Sequence, residues 1–594
     1  MKKIIISLGL LIGCLPVTQA AKLNSQTPSI QSVQTEIKNA QKAMFSLISY
    51  NEKGKILHSG YGFFIDENGT GIAAFSLLEG ASKAEIIDYK GNQLAVSRIL
   101  GASSAYDLVK FSTEGAKKIE AFNISSNIIM KEGNAVSLVT YTGKKKAEPK
   151  TIEIDKIDDF EAYKYYQISA ENVEKNLGCP LLDEEGNVIA IVQKNVGEKA
   201  EKACAIDARF VNELKLNSTS LLNADLNAIN IPKGLPDTEQ EALTYLYILG
   251  SKDSIASISA LNDFIAAYPD NAEGYSQRGS FYANHQNYAK CEEDFTTALE
   301  KAGNKQSSIQ PDEIYNNLSK LIYNKVLYTP QPEYENWTLD RAIEEAGKAY
   351  AINPSPFYLL QQAHCYFGKK DYQKAYENYC KISAETANDS QKWSAQAKAE
   401  TWLFASRAYE MNMKTNQAAT LQDSLHLITL LDSAINALPK PYTPKEAPLF
   451  LERAQRYELV NKFRQAVFDY NEYEKIIGPR NLNDKFYYLR EQAEFKGRMY
   501  QQALNDIRTA MAFNPKDALY PVEEAVILLR AGMFKEAVTA CEKSLSILPE
   551  NPDCYKIMGI AYGELKNKTK AQTYLQKAKE LGDPTVDEFI EKYK

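Results

Sequence analysis

The sequence predicts a multidomain protein in which an all-β N-terminal region is followed by a long all-α solenoid. At 594 residues the chain exceeds what one hydrophobic core can organise, so two or more structural units are expected. Residues 40–215 hold short runs rich in β-branched and aromatic residues, whereas the sequence from residue 238 onward has a helical period. In that helical part, Ala503, Ala537 and Ala571 recur at intervals of 34 residues.

The β-rich runs are separated by turn signals such as Glu67-Asn68-Gly69 and Glu184-Glu185-Gly186-Asn187. Such a series, with almost no helix, indicates an antiparallel barrel pair or a sandwich. The expected strands are Ala43–Tyr50, Gly60–Asp66, Thr70–Phe75, Ala84–Tyr89, Leu94–Leu100, Asp107–Phe111, Asn134–Tyr141, Thr151–Ile157, Tyr165–Ser169, Pro180–Leu182, Val188–Lys194 and Ala203–Ile206.

Residues 216–237, with the stretches Asn217-Ser218-Thr219-Ser220 and Pro232-Lys233-Gly234-Leu235-Pro236, are predicted to be a linker. Beyond it, residues 238–584 resemble tetratricopeptide (TPR) repeats, whose period is 34 residues. Each repeat is a helix hairpin that cannot bury its own apolar face, and a small residue lets its two helices approach. The positions that carry the resemblance are Tyr275, Gly279, Tyr282, Ala342, Ala375, Ala466, Ala503, Ala537, Ala571, Pro515 and Pro549.

The TPR resemblance implies eight or nine repeats in a superhelical solenoid, with residues 585–594 as a C-terminal capping helix. It also implies a protein or peptide partner on the concave face. A net charge of -7 argues against nucleic acid, which requires a basic footprint. The four histidines are scattered and no CxxC pair occurs, so neither a metal site nor another cofactor is predicted.

The first twenty residues are typical of an export signal, with Lys2-Lys3, the apolar run Ile4–Leu15 and small residues ending at Ala20. No later segment is apolar enough to span a bilayer, so no transmembrane segment is expected in the mature chain. Leu11–Cys14 also fits a bacterial lipobox, which leaves open a periplasmic or secreted protein and one anchored at the envelope through Cys14. Cleavage after Ala20 removes one of eight cysteines, and the odd remainder predicts a free thiol or an intermolecular bridge.

Two parts of the β-rich region carry recognisable motifs, in three segments. The first is Ala73–Ala81, which includes Ser76, together with Ser104–Phe111, which includes Asp107. The second is Lys175-Asn176-Leu177-Gly178-Cys179-Pro180-Leu181. Together they resemble the trypsin-like serine proteases, closest to the bacterial HtrA type, across residues 40–215. The resemblance implies a double barrel.

The resemblance also places the family's catalytic triad on this sequence. Ser76 stands at the histidine position, Asp107 at the aspartate position and Leu177 at the serine position. The family mechanism needs a hydroxyl nucleophile, an imidazole base and a carboxylate that orients the base. Because only the carboxylate is retained, and His58 falls on the preceding strand, no enzyme activity is expected.

Cys179 lies two residues past the nucleophile position and has no candidate base nearby in the sequence. We expect a buried structural thiol, or a disulfide to Cys204 in the last strand, rather than a reactive thiolate. The function that follows is an exported protein-binding scaffold. The alternatives are a peptidase or hydrolase that uses non-standard catalytic residues, and a lipid-anchored envelope assembly factor.

Overall fold

The computed structural model describes residues 41–141, 149–169, 173–193, 203–250, 254–303, 308–388, 393–416 and 420–594. The predicted signal peptide, with Cys14, lies outside these residues. The chain forms two compact units that divide between Phe281 and Tyr282, within one helix.

Six antiparallel strands close the first barrel in the order β1-β2-β3-β6-β5-β4. Its interior is filled by aromatic side chains, since Phe45 packs against Phe64 and Phe111 with ring centroids 4.7 and 5.8 Å apart. The six strands are β1 Met44–Tyr50, β2 Ile56–Phe64, β3 Gly71–Ala73, β4 Lys83–Asp88, β5 Gln93–Ser103 and β6 Leu108–Thr113.

The second barrel closes in the order β10-β11-β12-β9-β8-β7. Every residue of its central strand Val188–Gln193 is buried, so this strand shows no alternation of apolar and polar residues. Two closed barrels confirm the barrel pair and exclude the sandwich. The strands are β7 Ala135–Leu138, β8 Lys150–Phe160, β9 Tyr163–Ile168, β10 Pro180–Leu182, β11 Val188–Gln193 and β12 Ala203–Asp207, and the short helix α1, Val173–Asn176, precedes β10.

All twelve predicted runs overlap an observed strand, and the differences are confined to strand ends. The hairpin at Asp66 shows why the turn signals were informative. Its carboxylate Oδ1 accepts from the backbone N–H of Asn68 and of Thr70, at 2.9 and 3.0 Å. Gly69 supplies the left-handed backbone, φ 86°, that closes the turn before β3.

The predicted linker, residues 216–237, is not a free connection. Leu216, Leu226, Ile229 and Ile231 are buried in the core of the first barrel. The backbone is also paired, because Ile99 N–H donates to Pro232 O at 2.9 Å and Gly234 N–H donates to Ile99 O at 2.8 Å. We call residues 214–234 the strap; it contains a 3-10 turn, Ser220–Leu222, and the short helix α2, Ala224–Asn227.

The first helical hairpin belongs to the same compact unit as the barrels. It comprises α3 (Glu239–Gly250) and α4 (Ser254–Ala267). Arg98 of β5 donates from Nε to Asp263 Oδ2 and from Nη2 to Ser259 Oγ, both at 2.7 Å. The strap and this hairpin are thus held on the first barrel, and they belong to the compact unit that ends at Phe281.

Nineteen helices occupy the described residues beyond Asp237, counting α3 and α4. The signature alanines Ala342, Ala375, Ala466, Ala503, Ala537 and Ala571 have no exposed surface. Pro515 and Pro549 each lie two residues past a helix end, where proline cannot continue the helix. The remaining helices are α5 Ala272–Asn284, α6 Tyr288–Ala302, α7 Pro311–Tyr328, α8 Leu339–Ile352, α9 Pro356–Gly368, α10 Tyr372–Thr386, α11 Ala395–Asn416, α12 Leu421–Ala437, α13 Ala447–Leu459, α14 Phe463–Ile477, α15 Asp484–Lys496, α16 Tyr500–Phe513, α17 Leu519–Arg530, α18 Phe534–Ile547, α19 Pro552–Glu564, α20 Lys568–Glu580 and α21 Asp587–Lys592.

Three of the signature residues lie on α5, where Tyr275 is half-buried and Gly279 is buried. Tyr282, one turn further on, is also half-buried. The predicted capping segment 585–594 contains α21. Among the described residues, no helix is both long and apolar enough to cross a membrane.

Candidate functional site

Ser76 and Asp107, 31 residues apart in sequence, are in direct contact. Ser76 lies on a 3-10 turn, Phe75–Leu77, that follows β3, and Asp107 immediately precedes β6. Asp107 Oδ1 accepts from the Ser76 backbone N–H at 2.8 Å, and Oδ2 accepts from the Ser76 hydroxyl at 3.3 Å. The two motifs that contain these residues therefore meet in the fold.

The Asp107 backbone joins the same network. Its carbonyl accepts from Phe75 N–H at 3.1 Å, and the residue is held in the left-handed region at φ 44°. A non-glycine residue in that conformation carries strain that the surrounding contacts must offset. The three hydrogen bonds that Asp107 accepts from residues 75 and 76 supply such contacts, so Asp107 fixes the turn that carries Ser76.

Leu177 follows the short helix α1. Its side chain packs against the buried apolar cluster of the first barrel, which includes Phe75 and Leu77. A leucine offers no lone pair for attack on a carbonyl carbon. Leu177 therefore forms an apolar contact between the two barrels.

Gly178, the next residue, permits this close contact because it has no side chain. A Cβ placed on it would lie 2.6 Å from the carbonyl oxygen of Tyr61 and 3.2 Å from the Ala74 backbone nitrogen. Its φ of 76° is also one that residues with a side chain rarely adopt. The loop of the second barrel thus approaches the first barrel at backbone distance, beside the Ser76 turn.

Gly178→Ala is expected to destabilise the barrel pair by about 2–4 kcal/mol, the sum of left-handed strain and overpacking. Gly186→Ala is the matched control: Gly186 has φ 87° in the β10–β11 hairpin, but a Cβ there meets nothing within 4 Å. Hydrogen-exchange mass spectrometry of β2 and β3 measures the difference. Equal loss of protection in the two variants would show that the Tyr61 contact contributes nothing.

Cys179 and Cys204 are both free thiols, which corrects the disulfide alternative. The strand register explains why. Cys179 is hydrogen-bonded to Val192, Val192 pairs with Ala205, and Cys204 pairs with Gln193. The two cysteines are therefore two strands apart, about 9.5 Å, and on opposite faces of the sheet, whereas a bridge needs Cα atoms within about 7 Å.

Cys179 is a buried thiol, the other of the two alternatives considered for it. It has no exposed surface, and burial raises the pKa of its thiol to about 12. At neutral pH it is therefore protonated and a poor nucleophile. Among the described residues, no group of His, Cys, Asp and Glu side chains is placed to hold a metal ion.

Tyr165 of β9 lies near Asp107 and Cys204, which the sequence did not indicate. Burial raises the pKa of its hydroxyl above the usual value, and the Cys204 thiol and the Asp107 carboxylate nearby add to the effect. It falls outside both motifs, so only the barrel closure brings it to this place. His58 is exposed on β2, as expected, and its backbone N–H donates to Ser49 Oγ at 3.2 Å.

Residues 60–191 match the family model of the trypsin-like peptidase domain. A structural comparison finds the active form of the Rv3671c protease from M. tuberculosis, at 15% sequence identity and a TM-score of 0.27. That similarity covers 34% of this chain and 92% of the other. The N-terminal part thus carries a trypsin-like peptidase domain, a double six-stranded barrel, joined to a helical C-terminal region.

Proposed function

We propose that the protein is a non-enzymatic, exported protein-binding scaffold, in which a catalytically inactive trypsin-like domain precedes a TPR-type helical region. The observation that carries the proposal is the Ser76–Asp107 contact. The carboxylate that orients the catalytic histidine in active family members here holds the backbone and hydroxyl of a serine.

The chemistry of these positions supports the absence of catalysis. A serine hydroxyl is no base near neutral pH, so Ser76 cannot take a proton from a nucleophile. Leu177 cannot attack a carbonyl, and the nearest thiol, Cys179, has a pKa of about 12. In the family mechanism these groups act as a unit, and losing the unit leaves at best a small residual rate.

The helical region supports the binding part of the proposal. Repeated helical hairpins present a continuous concave surface, which suits an extended segment or a helix of a protein partner. The 34-residue spacing of Ala503, Ala537 and Ala571, with all three buried, favours TPR-type hairpins. From the predicted export signal at residues 1–20 we infer a partner in the envelope or outside the cell. Loss of metabolic palmitate labelling in Cys14→Ser would establish a lipid anchor.

The barrels have a structural role in this proposal, as an N-terminal cap on the first helical hairpin. Arg98 bonds α4 directly, and the strap covers the barrel core between β12 and α3. Gly101 of β5 allows the closest approach, because a Cβ there would lie 2.5 Å from the Leu214 carbonyl carbon. Repeat proteins require such terminal caps for solubility.

Gly101→Ala is therefore expected to loosen the strap and the first hairpin, at a cost of about 1–3 kcal/mol from overpacking. Gly250→Ala is the control, since Gly250 lies in α3, a Cβ placed on it would meet nothing within 4 Å, and alanine favours the helix. Hydrogen exchange in α3 and α4 should rise in the first variant and not in the second. Unchanged exchange in Gly101→Ala would contradict the capping role.

Affinity capture with the full chain tests the binding function. Partners captured from envelope extracts should be retained by Gly178→Ala, which damages the barrel contact, and lost with Arg490→Met, which removes a buried cation of the helical region. Loss with the barrel variant and retention with the helical variant would place binding on the barrels and contradict the proposal.

A further inference from the structure

An open cavity of about 340 Å³ on the surface of the first barrel is lined by four lysines. It lies between the β4–β5 turn, the segment that follows β6, and the 3-10 turn before β1. The volume is within the range of small-molecule sites in proteins. The charged residues that line it are Lys42, Lys90, Lys117, Lys118, Asp88 and Glu120.

Four lysines against two carboxylates give this cavity a formal charge of +2, in a protein whose net charge is -7. In the described part of the chain, none of the four ammonium groups forms an ion pair with a carboxylate. Elsewhere lysines of this domain do so, as Lys83 does with Glu85 at 2.7 Å. The lining therefore carries more positive than negative charge, and a bound anion would reduce the repulsion among its lysines.

The Asp88 carboxylate is hydrogen-bonded within the turn and forms no ion pair with a described lysine. Oδ1 accepts from the backbone N–H groups of Lys90 and Asn92, and Oδ2 accepts from the Asn92 amide, all at 2.8 Å. The β1–β4 pairing places Asp88 beside Phe45, which brings Lys42 to the same end of the barrel. The scaffold of the cavity is thus a hydrogen-bonded turn on paired strands.

The backbone conformation around Lys117 and Lys118 is unusual and is held by a hydrogen bond. Lys118 is held in the left-handed region at φ 53°, a conformation uncommon for a residue with a long side chain. Ile119 N–H, next in the chain, donates to Glu67 O at 3.1 Å and anchors this segment to the β2–β3 turn. Non-glycine residues in such strained conformations are concentrated at ligand-binding positions.

We propose that this cavity binds a small polyanion that carries at least two phosphate or carboxylate charges. Lysine ammonium groups are compact point charges with three rotatable donors, which suits such groups without demanding one bidentate geometry. The site is separate from the Ser76–Asp107 contact and does not depend on the absence of catalysis.

Isothermal titration of the full chain with pyrophosphate, and separately with citrate, tests the proposal. At least one probe should bind with a Kd below about 1 mM. Lys117→Glu/Lys118→Glu should weaken binding at least about tenfold. Lys131→Glu/Lys150→Glu changes the net charge equally at exposed positions outside the cavity and should leave binding unchanged.

A second arm separates free anions from lipid headgroups, with vesicles of phosphatidylglycerol and phosphatidylcholine in equal parts. Titration without binding of either soluble probe would overturn the proposal, as would equal weakening in the two double variants. Vesicle binding that is lost in Lys117→Glu/Lys118→Glu, without any soluble binding, would also overturn it in favour of a membrane surface. Hydrogen exchange at β4 and β5 confirms that the variants remain folded.

Discussion

Glu491→Gln is expected to stabilise the helical unit at alkaline pH and to leave its stability almost unchanged at acidic pH. Glu491 has no exposed surface, and its Oε1 has no hydrogen-bond partner, while Oε2 accepts only from the Gln492 amide at 2.7 Å. Burial raises the pKa of its carboxyl from 4.5 to about 8. The nearby acids Glu523 and Asp506 also raise this pKa, whereas Lys496 lowers it.

Proton linkage sets the sign of this effect. Between pH 4.5 and about 8 the folded chain holds a proton on Glu491 that the unfolded chain has lost, so the free energy of unfolding falls as pH rises through this interval. The full loss is at most about 5 kcal/mol for such a difference in pKa. Glutamine has no proton to lose, so the variant lacks this slope.

Urea denaturation at about pH 5, 7 and 9, followed by tryptophan fluorescence, measures the effect. The probe is specific, because Trp337, Trp393 and Trp402 all lie in the helical unit. We expect Glu491→Gln to exceed the wild type by about 2 kcal/mol or more at about pH 9. Glu536→Gln, an exposed position on α18, is the control. Parallel pH profiles for wild type and Glu491→Gln would contradict the burial argument.

Arg490→Met is expected to destabilise the same unit by about 3–5 kcal/mol, because it leaves buried carboxylates without their cation. Arg490 donates to both oxygens of Asp506, at 2.6 and 2.9 Å, and to Glu474 Oε2 at 2.6 Å. Glu494, 4% exposed and with Oε2 unpaired, lies in the same cluster. Burial already raises the pKa of Asp506, so the arginine is what keeps this carboxylate charged.

The double variant Arg490→Met/Asp506→Leu separates the buried charge from the loss of packing. Replacing a buried ion pair by apolar residues of similar size is often close to neutral, so the double variant should regain most of the lost stability. Tryptophan fluorescence in urea again reports the helical unit. A loss below about 1 kcal/mol in Arg490→Met would show that the pair is screened like an exposed one.

The arginine contact recurs along the helical unit at a fixed spacing. Arg453 bonds Asp469, Arg490 bonds Asp506 and Arg508 bonds Glu524, in each case across 16 residues. The 16-residue spacing of each arginine from its acidic partner can be read in the sequence, and it is compatible with partners on two neighbouring helices. Charged residues on helices are usually solvated, however, so a sequence alone does not show which of them are buried.

The β-region was predictable because its information is local. Turn residues such as Asp66 and Gly69 close hairpins by contacts within a few residues, and all twelve strands followed from them. The positions of Ser76 and Asp107 followed from motifs. Their hydrogen bond, like the place of Tyr165, depends on barrel closure, which joins residues far apart in sequence.

Two features of the structure depend on contacts between residues far apart in sequence. The strap contains many turn-forming residues, and the four apolar side chains that hold it on the barrel are too widely spaced to show a period. The Cys179–Cys204 alternative depended on strand register, which places the two thiols on opposite faces of the sheet. The residue pattern of one strand does not determine its pairing register with the neighbouring strand.

The most direct test of the central claim is a hydrolysis assay on the full chain, with fluorescent casein and a peptide library. We expect no turnover above the buffer blank, and no change in Asp107→Asn or Cys179→Ala. A trypsin-like protease with an intact triad serves as the positive control. Turnover that belongs to the purified chain and is abolished by Cys179→Ala would contradict the proposed function and make the protein a hydrolase with non-standard catalytic residues.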